Sequence, residues 1–306
     1  MPSRTAKPIR GFRKKVAKTV TKAAFNRFLN FRERRVLLRL GTKPKVHYYL
    51  MLDIFQRFAR EKGIKFKRKE SAKALSLIYT WMRAFDDLAE RLVRERKLKK
   101  FKQLKEDERT KQTITAFISL ISRMPLKNKT KKQILKIFAE TRRAVFREYL
   151  KEMELGYFAS PDKVISWKEN TTGKGFEALG KIMALLNDLS EEEAKLAGKA
   201  LRNWSLAAQI ADDMRDLHLD YGRNQNIFVS FLTRHPEEKE AVERGLRSKR
   251  VTIKWLEKRA PKTLNEVRAL FYRYLDEIQV GSDAFDFLRE LEKTFFESKV
   301  LMRFYR

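Results

Sequence analysis

The sequence predicts an all-α fold, and three observations predict it. Apolar residues recur at spacings of three and four along almost the whole chain from Val46 onward, the pattern of one buried helix face. Glycine and proline are scarce, at 11 and 7 of 306 residues, which suits long helices joined by short connections. No stretch alternates apolar and polar residues in the way a half-buried strand requires.

The periodic segments fall near 46–62, 71–99, 110–123, 129–154, 161–187, 190–220, 237–258, 262–278 and 283–304. Pro125, Gly156, Pro161 and Pro236 punctuate the gaps, and Ser190 followed by Glu193 has the form of a capping box. With 43% hydrophobic residues the chain is long enough to bury a large core. No Pro/Gly/Ser-rich linker divides it, so residues 46–306 are expected to form one helical domain.

Residues 1–45 read differently. Arg10, Arg13, Lys14, Lys15, Lys18, Lys22, Arg27, Arg32, Arg34, Arg35 and Arg39 accompany a single acid, Glu33. Phe12, Val16, Val20, Phe28 and Phe31 are interleaved among them. This is the composition of a basic amphipathic segment that lies on an anionic membrane surface, the alternative being a solvated basic tail. The whole chain carries a formal charge of +31, which favours polyanionic partners: nucleic acid, anionic lipid or phosphorylated substrates. There is no cysteine, so disulfides and thiolate metal sites are excluded. No apolar run approaches the roughly 20 residues of a membrane span, and the basic N-terminus lacks the apolar region of roughly 7–15 residues that a secretory signal requires. A cytoplasmic protein, peripheral to the membrane, is the expectation.

Against this basic background two acidic stretches stand out. The first holds Asp86, Asp87 and Glu90, with Arg83 one turn before them. Residues four apart share a helix face, so Asp86 and Glu90 point the same way, and such like charges repel unless a cation lies between them. The second holds Asp212, Asp213, Arg215, Asp216 and Asp220, with Asp212, Asp216 and Asp220 at i, i+4 and i+8. On a continuous helix these three line one face. His218 points about 200° away from Asp216 on that helix and is read as a packing or solvent residue. Clusters of oxygen donors without cysteine suit hard cations, and magnesium in particular completes its shell with phosphate oxygens. Two facing helices of this kind would clamp a diphosphate.

At these residues the sequence resembles the squalene/phytoene synthase family. Leu77 to Glu90 is similar to its first signature, A-L-Y-A-W-C-R-x-x-D-D-x-x-D, and Gln209, Arg215, Asp216 and Asp220 match its second, Q-L-x-N-I-L-R-D-x-x-x-D. Tyr272 to Ile278 resembles its Y-R-x-I-L-x-x-I helix. The middle signature, Y-x-x-x-V-A-G-x-V-G, is reduced to one glycine, with Trp167 at the tyrosine position and Lys174 in the cavity-lining stretch. The resemblance implies a class I isoprenoid synthase: a helical bundle around a central cavity, working on allylic prenyl diphosphates. It implies roughly two or three magnesium ions held by Asp86, Asp87, Glu90, Asp212, Asp213, Asp216 and Asp220. Arg83 and Arg215 would bind diphosphate oxygens, Tyr79 would line the site, and Gln209, Trp167 and Lys174 would contact substrate. Head-to-head condensation is the reaction implied first; NADPH would be its reductant, though no residue pattern indicates one.

Two relatives share the metal logic. Gln209 to Asp216 also resembles the Q-I-x-D-D-x-x-D of head-to-tail polyprenyl diphosphate synthases, and the ladder has the spacing of the terpene cyclase motif N-D-x-x-S-x-x-x-E. Outside this class, a helical nucleic-acid-binding protein would account for the charge but leave the acidic ladder without a purpose. Gly173-Lys174-Gly175 reads as a helix break, with a backbone phosphate cradle as the alternative.

Overall fold

The computed structural model describes residues 46–94, 107–155, 160–221, 226–247, 251–278 and 281–297, and among these every regular element is helical. The basic segment 1–45 lies outside them.

Chain order runs α1 (Val46–Glu61), α2 (Arg68–Arg94), α3 (Glu108–Arg123), α4 (Asn128–Leu155) and α5 (Pro161–Lys168). A π-helical turn (Glu169–Gly173) then leads straight into α6 (Lys174–Leu186). There follow α7 (Glu191–Arg215), α8 (Leu217–Asp220), α9 (Ile227–Leu232), α10 (Pro236–Arg247), α11 (Ile253–Arg259), α12 (Pro261–Asp276) and α13 (Asp283–Glu297). Local chemistry explains most boundaries. Asp107 accepts from the Thr110 N–H at the start of α3, and Thr252 accepts from Trp255 at the start of α11. Pro161 and Pro236 open α5 and α10, where their missing N–H costs nothing. The capping box at Ser190 and Glu193 is present, with the two hydrogen bonds at 3.2 and 2.8 Å.

The bundle is organised around α7, which packs against α6, α9, α12, α13 and the π-helical turn. Its buried residues occupy more than one face: Ala194, Ala197, Leu201, Trp204, Leu206, Ile210 and Met214 are all nearly inaccessible. Such a helix must sit inside the molecule. Helix α2 packs on α1, α3 and α6, and α4 on α3, α6 and the π-helical turn. Trp81 and Phe85, both buried on α2, meet Phe138, Phe146 and Tyr149 of α4 in ring contacts of 5.2–6.2 Å. The aromatic residues of the first acidic stretch are therefore core, as their periodicity predicts. No helix among the described residues is long and apolar enough to cross a membrane.

Three expected helices are divided. The segment 161–187 contains the π-helical turn, which is held at its first residue and its middle: Tyr274 of α12 donates to Glu169 at 2.8 Å, and Thr171 donates to the Trp167 carbonyl at 2.8 Å. The expected break at Gly173-Lys174-Gly175 is instead continuous helical backbone. The Lys174 N–H donates to the Glu169 and Thr171 carbonyls, so it is not free for a phosphate cradle. The segment 190–220 bends at Asp216, whose backbone leaves the helical region (φ −94°, ψ 10°) between α7 and α8. The segment 237–258 is two helices, α10 and α11.

The closest approach is between α6 and α7. A Cβ on Gly180 would lie 2.4 Å from the Ala197 carbonyl oxygen and 2.8 Å from the Gly198 Cα, both backbone atoms that cannot yield. Gly180→Ala is therefore expected to destabilise the protein by about 1–3 kcal/mol. Urea unfolding followed by circular dichroism checks this; an unchanged midpoint would mean that the two helices are free to separate.

Candidate functional site

The first acidic cluster stands on one face of α2. Asp86 and Asp87 lie beside Arg83, whose guanidinium is 3.6 Å from Asp86 and 3.1 Å from Asp87. Arg109 of α3 approaches the other Asp87 oxygen at 3.5 Å. Tyr149 of α4 donates its hydroxyl to Asp86 at 3.0 Å. The Glu90 side chain lies outside the described residues, as does that of Asp220.

The second cluster ends α7. Arg215 donates from Nε and Nη2 to the two oxygens of Asp216, at 3.0 and 3.1 Å, and Nη2 also contacts Asp212. Burial raises the Asp212 carboxyl above its ordinary pKa. Arg215 pulls it back, while the neighbouring Asp216 and Asp213 charges push it further up. The expected ladder does not lie on one continuous helix, because the backbone leaves the helical region at Asp216 before α8 begins. His218 is exposed.

Asp213 departs from the expectation that it joins the metal set. Its side chain is only 4% exposed, and Lys168 of α5, itself 6% exposed, donates to it at 2.9 Å. Gln209 donates to the same carboxylate oxygen at 2.9 Å, and the Ile227 N–H donates to the other at 2.8 Å. The Asn226 side chain donates to the Asp213 carbonyl at 2.6 Å. Asp213 therefore knots α5, α7 and the start of α9 together. Gln209, expected to face substrate, supports that knot.

The two clusters are joined by a short run of contacts. Tyr149, which holds Asp86, meets the Trp167 ring edge-on at 5.4 Å. The next residue, Lys168, holds Asp213, which adjoins Asp212. Both acidic groups are thus linked through one run of side-chain contacts. Trp167, the expected substrate contact, is buried in this connection; Lys174 is half-buried at the start of α6.

Beneath the first cluster on α2, seven residues before Asp86, stands Tyr79. That spacing returns to the same helix face. Its ring meets Phe176 edge-on at 5.9 Å, and Phe176 meets Trp204 at 5.7 Å. The Tyr79 hydroxyl is buried and has no hydrogen-bond partner among the described residues; burial pushes the phenol well above its ordinary pKa. A buried hydroxyl without a partner is costly.

The donor set fits a hard cation. Each cluster offers a pair of carboxylates, which matches the one or two that magnesium takes while filling its shell with water and phosphate. No three His, Cys, Asp or Glu side chains converge among the described residues, so a bound ion would take ligands from outside each pair. Tyr149, Arg109, Lys168 and Asn226 all belong to the site region without belonging to either motif. No local signal in the sequence picks them out, because each reaches the site from another helix.

Solved structures share this fold. The chain superposes on a geranylgeranyl pyrophosphate synthetase from Pyrococcus horikoshii with a TM-score of 0.62 and 14% identity, over 95% of this chain and 99% of that one. A geranylgeranyl pyrophosphate synthetase from the archaeon Geoglobus acetivorans gives a TM-score of 0.64 at 15% identity, over 94% and 98%. A further geranylgeranyl pyrophosphate synthase gives 0.56 at 13% identity, over 96% and 99%. No model of a known protein family matches the sequence, and no curated protein matches it.

The two kinds of aspartate separate by stability. Asp213→Ala leaves Lys168 buried without its counter-charge and is expected to cost about 3–5 kcal/mol. Asp216→Ala leaves Arg215 on Asp212 and is expected to cost about 1 kcal/mol or less. Chemical unfolding of the metal-free variants measures both, and equal losses would contradict the distinction drawn from the geometry.

Proposed function

We propose that this protein is a magnesium-dependent prenyltransferase that joins an allylic prenyl diphosphate to a homoallylic one, head to tail, as a polyprenyl diphosphate synthase does. The observation that carries this reading is the connected pair of carboxylate clusters, each with a guanidinium, in a fold shared with geranylgeranyl pyrophosphate synthases. The head-to-tail reading takes precedence over the head-to-head reaction that the first signature suggests. The three solved structures named above bear the names of head-to-tail synthases, and the second motif keeps the aspartate pair Asp212-Asp213 of that group.

Asp86, Asp87, Asp212 and Asp216 would hold the ions, with Glu90 and Asp220 as the further carboxylates of each motif. Bound metal neutralises charge that builds on the departing diphosphate. Arg83 and Arg215 bind diphosphate oxygens through their forked donors. Tyr149 orients Asp86 by its hydrogen bond, and the half-buried Tyr79 and Phe176 would offer aromatic surface to the prenyl chain and to the allylic cation. The new carbon–carbon bond forms between that cation and the homoallylic alkene, and a proton leaves the adjacent carbon.

The test is incubation with farnesyl diphosphate, with and without isopentenyl diphosphate, in the presence of magnesium. A lengthened prenyl diphosphate that needs both substrates is the expected product; a hydrocarbon formed from farnesyl diphosphate alone would indicate head-to-head or cyclising chemistry. Asp86→Asn keeps an oxygen for Tyr149, so it should fold normally while turnover falls about a hundredfold or more.

Residues 1–45 supply the membrane part of the proposal. A long prenyl diphosphate is an amphiphile whose chain partitions into a bilayer, and each basic side chain near an anionic bilayer contributes about 1 kcal/mol. Flotation with anionic vesicles should carry the full chain and lose it when the segment is removed. Tight nucleic-acid binding without vesicle binding would instead point to the polyanion reading.

A further inference from the structure

Each carboxylate pair carries its own guanidinium, and the contacts fall on the oxygens a cation would need. At the second cluster Arg215 covers both oxygens of Asp216 and one of Asp212. At the first, Arg83 covers one oxygen each of Asp86 and Asp87, Arg109 takes the second Asp87 oxygen, and Tyr149 the second Asp86 oxygen. We infer that Arg83 and Arg215 are built-in counter-ions that oppose a divalent cation at the two pairs until a diphosphate draws the guanidiniums away, so that metal and diphosphate bind as a coupled unit. The inference rests on the proposed diphosphate reading and adds an order of events to it.

Three features support the exchange. The first is position. Both arginines lie three or four residues, or one residue, from the carboxylates they cover, so one side-chain rotation moves the guanidinium off without moving a helix. The second is solvent access. The Arg83 side chain is 56% exposed and that of Arg215 30%, whereas Lys168 on Asp213 is 6% exposed. Partly solvated ion pairs are weak and exchangeable, and a dry one is fixed. The site thus holds two classes of ion pair, one displaceable and one permanent. The third is chemistry. A planar fork of N–H donors that fits a carboxylate fits diphosphate oxygens equally well. A released arginine therefore has a new partner only when diphosphate is present.

An independent feature on this face is consistent with a ligand beside it. Arg83 lies four residues after Tyr79 and Asp86 seven after it, so all three share one side of α2. The buried Tyr79 hydroxyl has no partner among the described residues.

If the metal frees the arginine that diphosphate needs, and diphosphate takes the arginine that opposes the metal, each must raise the other's affinity by the same factor. The test is calorimetric titration of the full chain with magnesium, alone and at fixed inorganic pyrophosphate, with the buffer titration of magnesium into pyrophosphate subtracted. Wild type, Arg215→Gln, Arg215→Lys and Arg83→Gln are compared after their melting curves confirm folding. In wild type, pyrophosphate is expected to tighten magnesium binding by roughly five- to a hundredfold. Arg215→Gln should bind magnesium alone about fivefold or more tighter than wild type, and gain less from pyrophosphate. Arg215→Lys, which keeps the charge but not the fork, should fall between them; Arg83→Gln repeats the result at the other cluster. Unchanged affinity for magnesium alone in both glutamine variants overturns the inference. So does an Arg215→Lys variant that matches wild type, since that would leave only a general charge effect. Independent binding of magnesium and pyrophosphate to wild type overturns the inference and spares the functional reading; no binding of either overturns both.

Discussion

The arrangement of the site depends on one buried ion pair, Lys168 with Asp213. An isolated charge this far from water would be prohibitively costly, so neither residue is tolerable without the other. The pair also has company that makes its geometry definite: Gln209, the Ile227 N–H and the Asn226 side chain fill the remaining hydrogen-bonding positions around Asp213. Because Lys168 closes α5, Asp213 lies in the last turn of α7 and Ile227 opens α9, three chain segments converge on one carboxylate. Asp212 and Asp216 flank that carboxylate in the same helix end, so their position follows from it. Trp167, adjacent to Lys168, carries the constraint onward to Tyr149 and so to Asp86.

The rest of the interior is consistent with a site that must not drift. Helix α7 meets α6 through Gly180 and Gly198, at a separation where an added methyl group would strike backbone. Contact that close leaves little room for sliding. The π-helical turn between α5 and α6 is likewise anchored, by Tyr274 and Arg202 on Glu169. Such turns widen a helix by one residue and let the chain on either side point in directions a regular α-helix would not allow. Here the turn allows Lys168 to reach α7 while α6 keeps its own register against the same helix.

The sequence is most legible where the deciding interactions are local. Helix periodicity, the capping box at Ser190 and the prolines opening α5 and α10 are all set within a few residues, and the structure has each of them. The acidic pairs with their arginines are also local, at spacings of one to four. What the sequence hides is set across the fold. Asp213 looks like its neighbour Asp212 until Lys168, forty-five residues earlier, is brought beside it. Tyr149 carries no motif, and its role appears only when α4 is laid along α2. The bend at Asp216 is similarly invisible in a helical projection, which assumes that the ladder continues straight into α8.

The charge of the whole chain bears on how the site is filled. A net charge of +31 sets up a field that draws anions in and opposes a bare divalent cation at a distance. A prenyl diphosphate carrying a single magnesium ion would still bear net negative charge, so it would be attracted where the free ion is repelled. At close range the same preference is repeated by Arg83 and Arg215, which cover the carboxylates against a lone cation yet offer donors to a diphosphate. Under the proposed function, long-range and local electrostatics would both favour one entering species, the metal together with its diphosphate. The two contributions differ in their response to salt. The long-range field is screened over about 8–10 Å at ordinary ionic strength, while contacts near 3 Å between partly buried groups are screened much less. The coupling at the clusters should accordingly survive in salt that abolishes the steering.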